Sequence, residues 1–176
     1  KKELNSNIEI VIVCVFSVNN LEEVLKEVAL LKDLGIKNIS FIPFHDIGKL
    51  MNGVETMRPF KIEDNKIIEA DRVIDKLIEM KKNGEPIDNS VGYLKLFKDA
   101  IRDKPLPISC YAGYATLSVD GYGDIYPCFP RAEMGLNQNP PNIRDMRLRD
   151  FWNSEGMDKM RHDIRDCRAC YWNNQT

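Results

Sequence analysis

A chain of 176 residues with 43% apolar and 30% charged residues has the composition of a soluble globular protein. Its net charge of −2 excludes the large positive field that nucleic acids and anionic membranes attract, so we expect neither partner. The longest apolar run, Ile10–Phe16, is too short to span a bilayer, and no signal peptide is recognisable. These features predict a cytoplasmic protein without a membrane partner.

The first forty-five residues predict a βαβ unit. Six of the nine residues of Ile8–Phe16 are Val or Ile, which is typical of a strand buried on both faces of a parallel sheet. Asn20 is expected to cap a helix whose apolar residues recur at helical spacing until Gly35. Ile39–Phe44 then predicts a second buried strand. This order of elements favours a parallel α/β sheet.

The segment from His45 to Glu63 has no clear period and follows the carboxyl end of a predicted strand. Functional loops of α/β proteins lie at this edge. His45 and Asp46 are therefore candidates for ligand contact, although such residues more often simply begin a polar loop.

Two amphipathic helices are predicted next, Ile67–Ile78 and Val91–Arg102, the second capped by Asp88 or Asn89. The prolines that follow predict a domain boundary, giving domains 1–104 and 105–176. Two strands are too few for a stable sheet that needs cover on both faces. We expect the missing half of the sheet to come from preceding sequence, from another chain or from dimerisation.

Four of the five cysteines lie in the second predicted domain. Seventeen residues separate Cys110 from Cys128, and Cys167 forms a CxxC with Cys170. In a chain without a secretion signal, this spacing predicts a metal or iron–sulfur site, with two disulfides as the alternative. Cys14 lies inside the first predicted strand and is expected to be an ordinary buried side chain.

Local patterns predict how the thiolates converge. Residues 115–126 predict a β-hairpin around an Asp-Gly-Tyr-Gly turn, which would carry Cys128 back toward Cys110. Two short helices are predicted before the CxxC, over Asn142–Asn153 and from Ser154 to about Arg161. Four soft anionic ligands select zinc or an iron–sulfur cluster, and the wide Cys110–Cys128 arm is weak evidence for the larger cluster.

Other side chains near the CxxC have two possible roles. Trp152 and Trp172 would either shield a cluster from water or pack as ordinary aromatic residues. His162 is expected at the surface because four cysteines already supply the ligands. The nearby arginines would either offset the charge of the site or form a solvated helix face, namely Arg161, Arg165 and Arg168.

The second predicted domain, residues 105–176, which we call the tail, resembles the SPASM/twitch domains of radical SAM enzymes. The resemblance rests on Cys110-Tyr-Ala-Gly113, on Val119-Asp-Gly-Tyr-Gly-Asp-Ile-Tyr-Pro-Cys128, on Asn142-Ile143 with Phe151-Trp152, and on Cys167-Arg-Ala-Cys170. The preceding strand–helix units resemble the last two units of the radical SAM partial (β/α) barrel.

The resemblance implies an α/β fold in which a partial barrel segment, strand–helix–strand–helix, precedes a small twitch-like domain with a β-hairpin and short helices. It implies one auxiliary [4Fe–4S] cluster, held by Cys110, Cys128, Cys167 and Cys170. It further implies that S-adenosylmethionine (SAM) meets the barrel edge at Pro43 and Phe44.

The chain also departs from the family pattern. The CxxxCxxC that binds the SAM-cleaving cluster is absent, as are three further cysteines of the longer SPASM form. We therefore expect the C-terminal portion of a radical SAM enzyme that is not competent alone. Its partners would be an N-terminal half-barrel and a peptide or small-molecule substrate. The alternative is a zinc-stabilised binding module without catalysis.

Overall fold

A computed structural model describes residues 9–46, 58–133, 139–168 and 171. Strands β1 (Val11–Phe16) and β2 (Asn38–Pro43) pair in parallel, and helix α1 (Val24–Asp33) connects them. The predicted βαβ unit is confirmed. The predicted first strand is longer than β1, because Glu9 and Ile10 are not part of it, and Ile8 is outside the described residues.

The prediction that Asn20 caps helix α1 is wrong. Asn20 ends a 3₁₀ turn, where its Oδ1 accepts the Ser17 backbone N–H at 3.0 Å. Its Nδ2 donates to the Val15 carbonyl at 2.8 Å. Asn20 thus stabilises the exit from β1, and helix α1 begins after it, at Val24.

Helices α2 (Ile67–Lys82) and α3 (Val91–Ala100) form where the apolar periodicity predicts them. The cap of α3 is Ser90, whose Oγ accepts the Tyr93 backbone N–H at 3.0 Å, so the prediction of Asp88 or Asn89 is wrong. The helices pack on the sheet around one apolar core, whose largest fully buried side chains include Phe16, Phe41, Phe97, Ile39, Ile74, Leu77 and Leu94.

Asn89 closes the outer edge of β2 instead of capping a helix. Its Oδ1 accepts the Phe41 backbone N–H at 2.7 Å, and its Nδ2 donates to the Phe41 carbonyl at 2.9 Å. Nearby, the bonds are between backbone groups: the Ile39 N–H donates to the Pro86 carbonyl at 2.8 Å, and the Asp88 N–H donates to the Ile39 carbonyl at 2.7 Å. This edge of the sheet is therefore sealed by the segment that leads into α3.

Within the described ranges, β1 has one unpaired edge and one exposed face. In the described part of the chain β1 pairs with β2 alone, and the side chains of Val11, Val13 and Val15 are 49%, 55% and 44% exposed. The expectation that β1 is buried on both faces is thus wrong for this face. Cys14 and Phe16 pack into the core from the opposite face, and burial raises the pKa of the Cys14 thiol.

The remaining elements are short and lie in the cysteine-rich tail. Strands β3 (Ser118–Val119) and β4 (Ile125–Tyr126) form an antiparallel hairpin. Helices α4 (Phe129–Glu133), α5 (Leu148–Trp152) and α6 (Glu155–Ile164) follow. None of the helices in the described ranges combines the length and apolar character that crossing a bilayer requires.

Candidate metal centre

The predicted hairpin forms, with strands shorter than the pattern indicates. The Asp120 carboxylate orders its turn, because its Oδ1 accepts the backbone N–H groups of Tyr122 and Asp124, both at 2.9 Å. Gly123 has a φ of +92°, which a glycine adopts without strain. The chain therefore reverses here and delivers Cys128 directly after β4.

A third segment fixes this hairpin from the side. The Asn142 Nδ2 donates to the Tyr122 carbonyl at 3.1 Å and to the Asp124 carboxylate at 2.7 Å. A Cβ atom at Gly123 would lie only 2.9 Å from the Asn142 Oδ1. The close approach explains why this turn needs glycine, and it makes Asn142 part of the support for Cys128.

Cys110 is held by a tight loop that bends back over its own sulfur. The Ala112 backbone N–H donates to the Cys110 Sγ at 3.4 Å. Gly113 then turns the chain with a φ of +74°, and its N–H donates to the Thr116 carbonyl at 2.8 Å. A backbone donor aimed at sulfur is a common feature of iron–sulfur sites.

Helix α6 holds this loop in place. The Arg161 Nε donates to the Gly113 carbonyl at 2.9 Å, and one Nη donates to the Trp152 carbonyl at 2.9 Å. The guanidinium lies 4.9 Å from the Trp152 ring centre, in cation–π geometry. Arg161 is thus a structural residue of the Cys110 loop, rather than a member of a solvated face.

Cys110, Cys128 and Cys167 lie close together in the folded chain. Cys110 and Cys128 are buried in one small cluster with Ala112 and Ile164, and Cys167 packs against it. Cys167 is placed by its backbone N–H, which donates to the Ile164 carbonyl at the end of α6 at 2.9 Å. Cys170, the fourth predicted ligand, lies outside the described residues.

Burial is the largest cause that raises the pKa of the Cys110 and Cys128 thiols, and the neighbouring thiols raise it further. Backbone hydrogen bonds from Ala112 and Arg131 act in the opposite direction, because an N–H donor stabilises a thiolate. Several thiolates in one buried cluster require a compensating cation. The donor set therefore fits a thiolate-ligated metal or iron–sulfur group.

The described thiols are not arranged as the finished ligand sphere of one ion. Within the ranges that the structure describes, no three His, Cys, Asp or Glu side chains approach closely enough to hold a metal ion together. No disulfide joins any two of the described cysteines. The tail thus shows a cluster of thiols, and the ligand set remains a prediction.

The other predicted candidates fall in different places. The His162 side chain is 75% exposed beside Asp163, and the Arg165 side chain is 62% exposed beside Asp166. Trp152 packs against a second small cluster, formed by Ile125, Phe151 and Met157. Trp172 lies outside the described residues.

Tyr171, which follows the CxxC, is bonded to residues of the predicted first domain, 1–104, which we call the first half. The Tyr171 backbone N–H donates to His45 Nε2 at 2.7 Å, and its carbonyl accepts the Tyr93 hydroxyl at 2.6 Å. Its own hydroxyl donates to the Lys104 carbonyl at 2.9 Å. Sequence reasoning missed these contacts because no local pattern connects residues this far apart along the chain.

A cavity of about 360 Å³ lies beside this anchor, at the carboxyl ends of β1 and β2. Pro43, Phe44, His45 and Asp46 line it together with residues of the tail, among them Tyr171 and Arg168. The predicted SAM edge and the two predicted loop candidates are therefore neighbours of one cavity, next to the CxxC.

Residues 110–171 match the family model of an iron–sulfur cluster-binding domain, SPASM. No curated protein matches the sequence. Solved structures of similar fold include a histidine-tagged form of anSMEcpe with bound AdoMet, at 18% identity and a TM-score of 0.56 over 87% of this chain and 39% of that chain. Native anSMEcpe with bound AdoMet and Kp18Cys peptide matches with 18% identity and a TM-score of 0.56, over 87% and 41% of the two chains.

Streptococcus suis SuiB matches at 17% identity with a TM-score of 0.51, over 82% of this chain and 34% of that chain. The chain thus spans between 34% and 41% of the length of these solved structures. The comparisons confirm the resemblance to radical SAM enzymes that carry a SPASM domain. Residues 110–171 are therefore similar to iron–sulfur cluster-binding domains of the SPASM type, and most of the chain shares its fold with these solved structures.

Proposed function

We propose that this chain is the C-terminal part of a radical SAM enzyme, and that residues 105–176 hold one auxiliary [4Fe–4S] cluster on Cys110, Cys128, Cys167 and Cys170. The supporting observation is that three of these thiols pack in one buried cluster inside the segment that matches the SPASM family. A cluster bound there would supply a one-electron donor or acceptor.

The residues of the tail suit electron transfer better than substrate ligation. Four cysteines would fill every protein-binding position of a [4Fe–4S] cluster, leaving no open site for a substrate. Backbone N–H groups of Ala112 and Arg131 bond the sulfurs, and such donors raise the reduction potential of a cluster. The tail therefore binds, shields and tunes the group.

The open side of the sheet supports a larger barrel. β1 has a paired neighbour on only one side in the described ranges, and its outer face exposes Val11, Val13 and Val15. Burying three valines stabilises an interface by about 1.5–3 kcal/mol each. We propose that residues 1–104 complete a partial (β/α) barrel with an N-terminal half that brings the CxxxCxxC, in the same polypeptide or another chain.

The cavity at the strand ends is the proposed reaction chamber. Pro43 and Phe44 would contact SAM, and AdoMet is present in solved structures of similar fold. One of these structures also holds a peptide, which favours a peptide over a small metabolite as substrate. Loops at the carboxyl ends of strands are the usual place for catalysis in barrels.

Anaerobic reconstitution of the chain tests this proposal. We expect a brown protein with about four irons per chain, as a single [4Fe–4S] cluster requires. Cys128→Ala should lower the iron content below the wild-type value and change the absorption spectrum. Cys14→Ala is the matched control, because Cys14 packs in the other core and should leave the iron content unchanged.

Zinc is the competing occupant. One zinc per chain after anaerobic purification, with no iron taken up on reconstitution, would replace the proposal by a zinc-stabilised binding module. A colourless protein without either metal would reject both.

A further inference from the structure

His45 touches the cysteine-rich tail at the residue that follows the CxxC. Tyr171 is only 4% exposed, and its backbone N–H points at His45 Nε2, 2.7 Å away. A buried N–H without an acceptor is destabilising, so this bond fixes where residue 171 can lie. The bond is a long-range tertiary contact, because it joins residues that are 126 positions apart in the sequence.

The geometry also fixes the form of the imidazole. Nε2 accepts the N–H of Tyr171, so it carries a lone pair, and the ring is neutral with its proton on Nδ1. The ring additionally hydrogen-bonds the backbone of Pro43, which has only a carbonyl to offer. His45 is therefore held between the end of β2 and the tail.

Further bonds fix the same stretch of chain from other directions. The Tyr93 hydroxyl donates to the Tyr171 carbonyl at 2.6 Å, and the Tyr171 hydroxyl donates to the Lys104 carbonyl at 2.9 Å. Inside the CxxC, the Arg168 carbonyl accepts the Leu106 backbone N–H at 2.9 Å. The chain is thus held at Arg168, inside the CxxC, and again at Tyr171, directly after it.

We infer that His45 is a positioning residue for the bound cluster: by accepting the Tyr171 N–H it fixes the residue directly after the CxxC against the carboxyl end of β2. This inference rests on the proposed auxiliary cluster. Outer hydrogen bonds around cysteine ligands set how firmly a metal group is held and where its potential lies. A change at His45 should therefore alter the cluster without removing any ligand.

Three variants of the anaerobically reconstituted chain test it. His45→Leu removes the acceptor, and we expect iron loss to a chelator to accelerate by about tenfold, as for other partners that orient metal ligands. The cluster's midpoint potential should shift in the same variant. His45→Gln places an amide oxygen near the Nε2 position and should restore both values. His162→Leu, at a 75% exposed position, is the control and should match wild type.

The outcomes separate this inference from the proposed function. If the wild-type chain takes up no iron–sulfur cluster, the proposed function fails. If the wild type binds the cluster and His45→Leu equals it in iron-loss rate and midpoint potential, the positioning role is overturned. Should His45→Leu not fold, His45→Asn decides, because its shorter amide does not reach the Nε2 position and so removes the acceptor of the Tyr171 N–H. Faster iron loss and a shifted potential in this variant support the role, and wild-type values reject it.

Discussion

The two halves of the molecule are stabilised in different ways. In the first half, sixteen described buried residues from the sheet, from helices α1 to α3 and from the segments between them form one continuous apolar core. Among the described residues of the tail, the apolar clusters contain four and three buried residues, and two of the four are the proposed ligands Cys110 and Cys128. A region with so little apolar core depends on hydrogen-bonded turns and on whatever its thiols bind.

The strongest test of this contrast is removal of the cluster. We expect the iron-free chain to lose amide protection throughout the tail, because its apolar clusters are small and the group that would join its thiols is absent, while α2 and α3 keep theirs. Hydrogen exchange followed by mass spectrometry resolves the two regions. Equal protection of the tail with and without iron would show that the tail folds independently of its cofactor.

A core substitution tests the other half. Ile74 is fully buried in α2, so Ile74→Ala should lower the free energy of unfolding of the first half by about 2–5 kcal/mol. Urea unfolding measures this, and iron per chain should stay at the wild-type value. Ile68→Ala on the same helix is the control: Ile68 is 68% exposed, and the change should stay within about 0.5 kcal/mol. Loss of iron in Ile74→Ala would mean that the halves do not fold separately.

Helices and strands could be predicted where the spacing of apolar residues and the turn residues indicate them locally. The spacing of Ile67, Val73 and Leu77 predicts α2, and the Asp120–Gly123 turn predicts the hairpin that delivers Cys128. Helix caps were less predictable: Asn20 and Asn89 have the right residue type, but each uses its amide on a strand backbone. A side chain with two ways to bond backbone does not reveal its choice locally.

The cysteine spacing led to a proposed ligand set that stays a prediction, and it gave no sign of the contacts that support these cysteines. The spacing of Cys110, Cys128 and Cys167 indicates a shared group, and the structure brings these three together. The Tyr171–His45 bond depends on how the tail docks on the strand ends, which no periodicity encodes. For the same reason the exposure of one face of β1 was missed, since a hydrophobic run does not say which neighbour is at hand.

The hydrogen bond between His45 and the Tyr171 backbone, which joins the two halves, should be sensitive to pH. Burial lowers the pKa of His45 to about 4 from the ordinary value of 6.5. The unfolded chain therefore binds a proton at His45 more readily than the folded chain does. The contribution of the neutral His45 ring to the free energy of unfolding is complete above pH 6.5, and it is lost as the pH falls toward 4. Between about pH 7.5 and about pH 5 we expect the wild type to lose about 2 kcal/mol more than His45→Gln in urea unfolding. Parallel pH profiles of the two proteins would contradict the neutral, bonded ring.

The smallest effect is expected inside the tail, at Gly113. A Cβ atom there would meet the Met157 Cε at 3.1 Å and the Ile164 Cδ1 at 3.2 Å, and the backbone φ of +74° is strained for any residue but glycine. Gly113→Ala should therefore destabilise the Cys110 loop by about 1–2 kcal/mol. We expect faster iron loss to a chelator, with the first half unchanged in hydrogen exchange.

Gly121→Ala is the matched control, because its Cβ would meet nothing within 4 Å and its backbone has no positive φ. If both alanine variants retained iron equally well, the tight turn over Cys110 would be dispensable. The tail would then be held chiefly by its ties to the first half, through Tyr171 and Arg168, and the contrast between the halves would shift from separate cores to one shared interface.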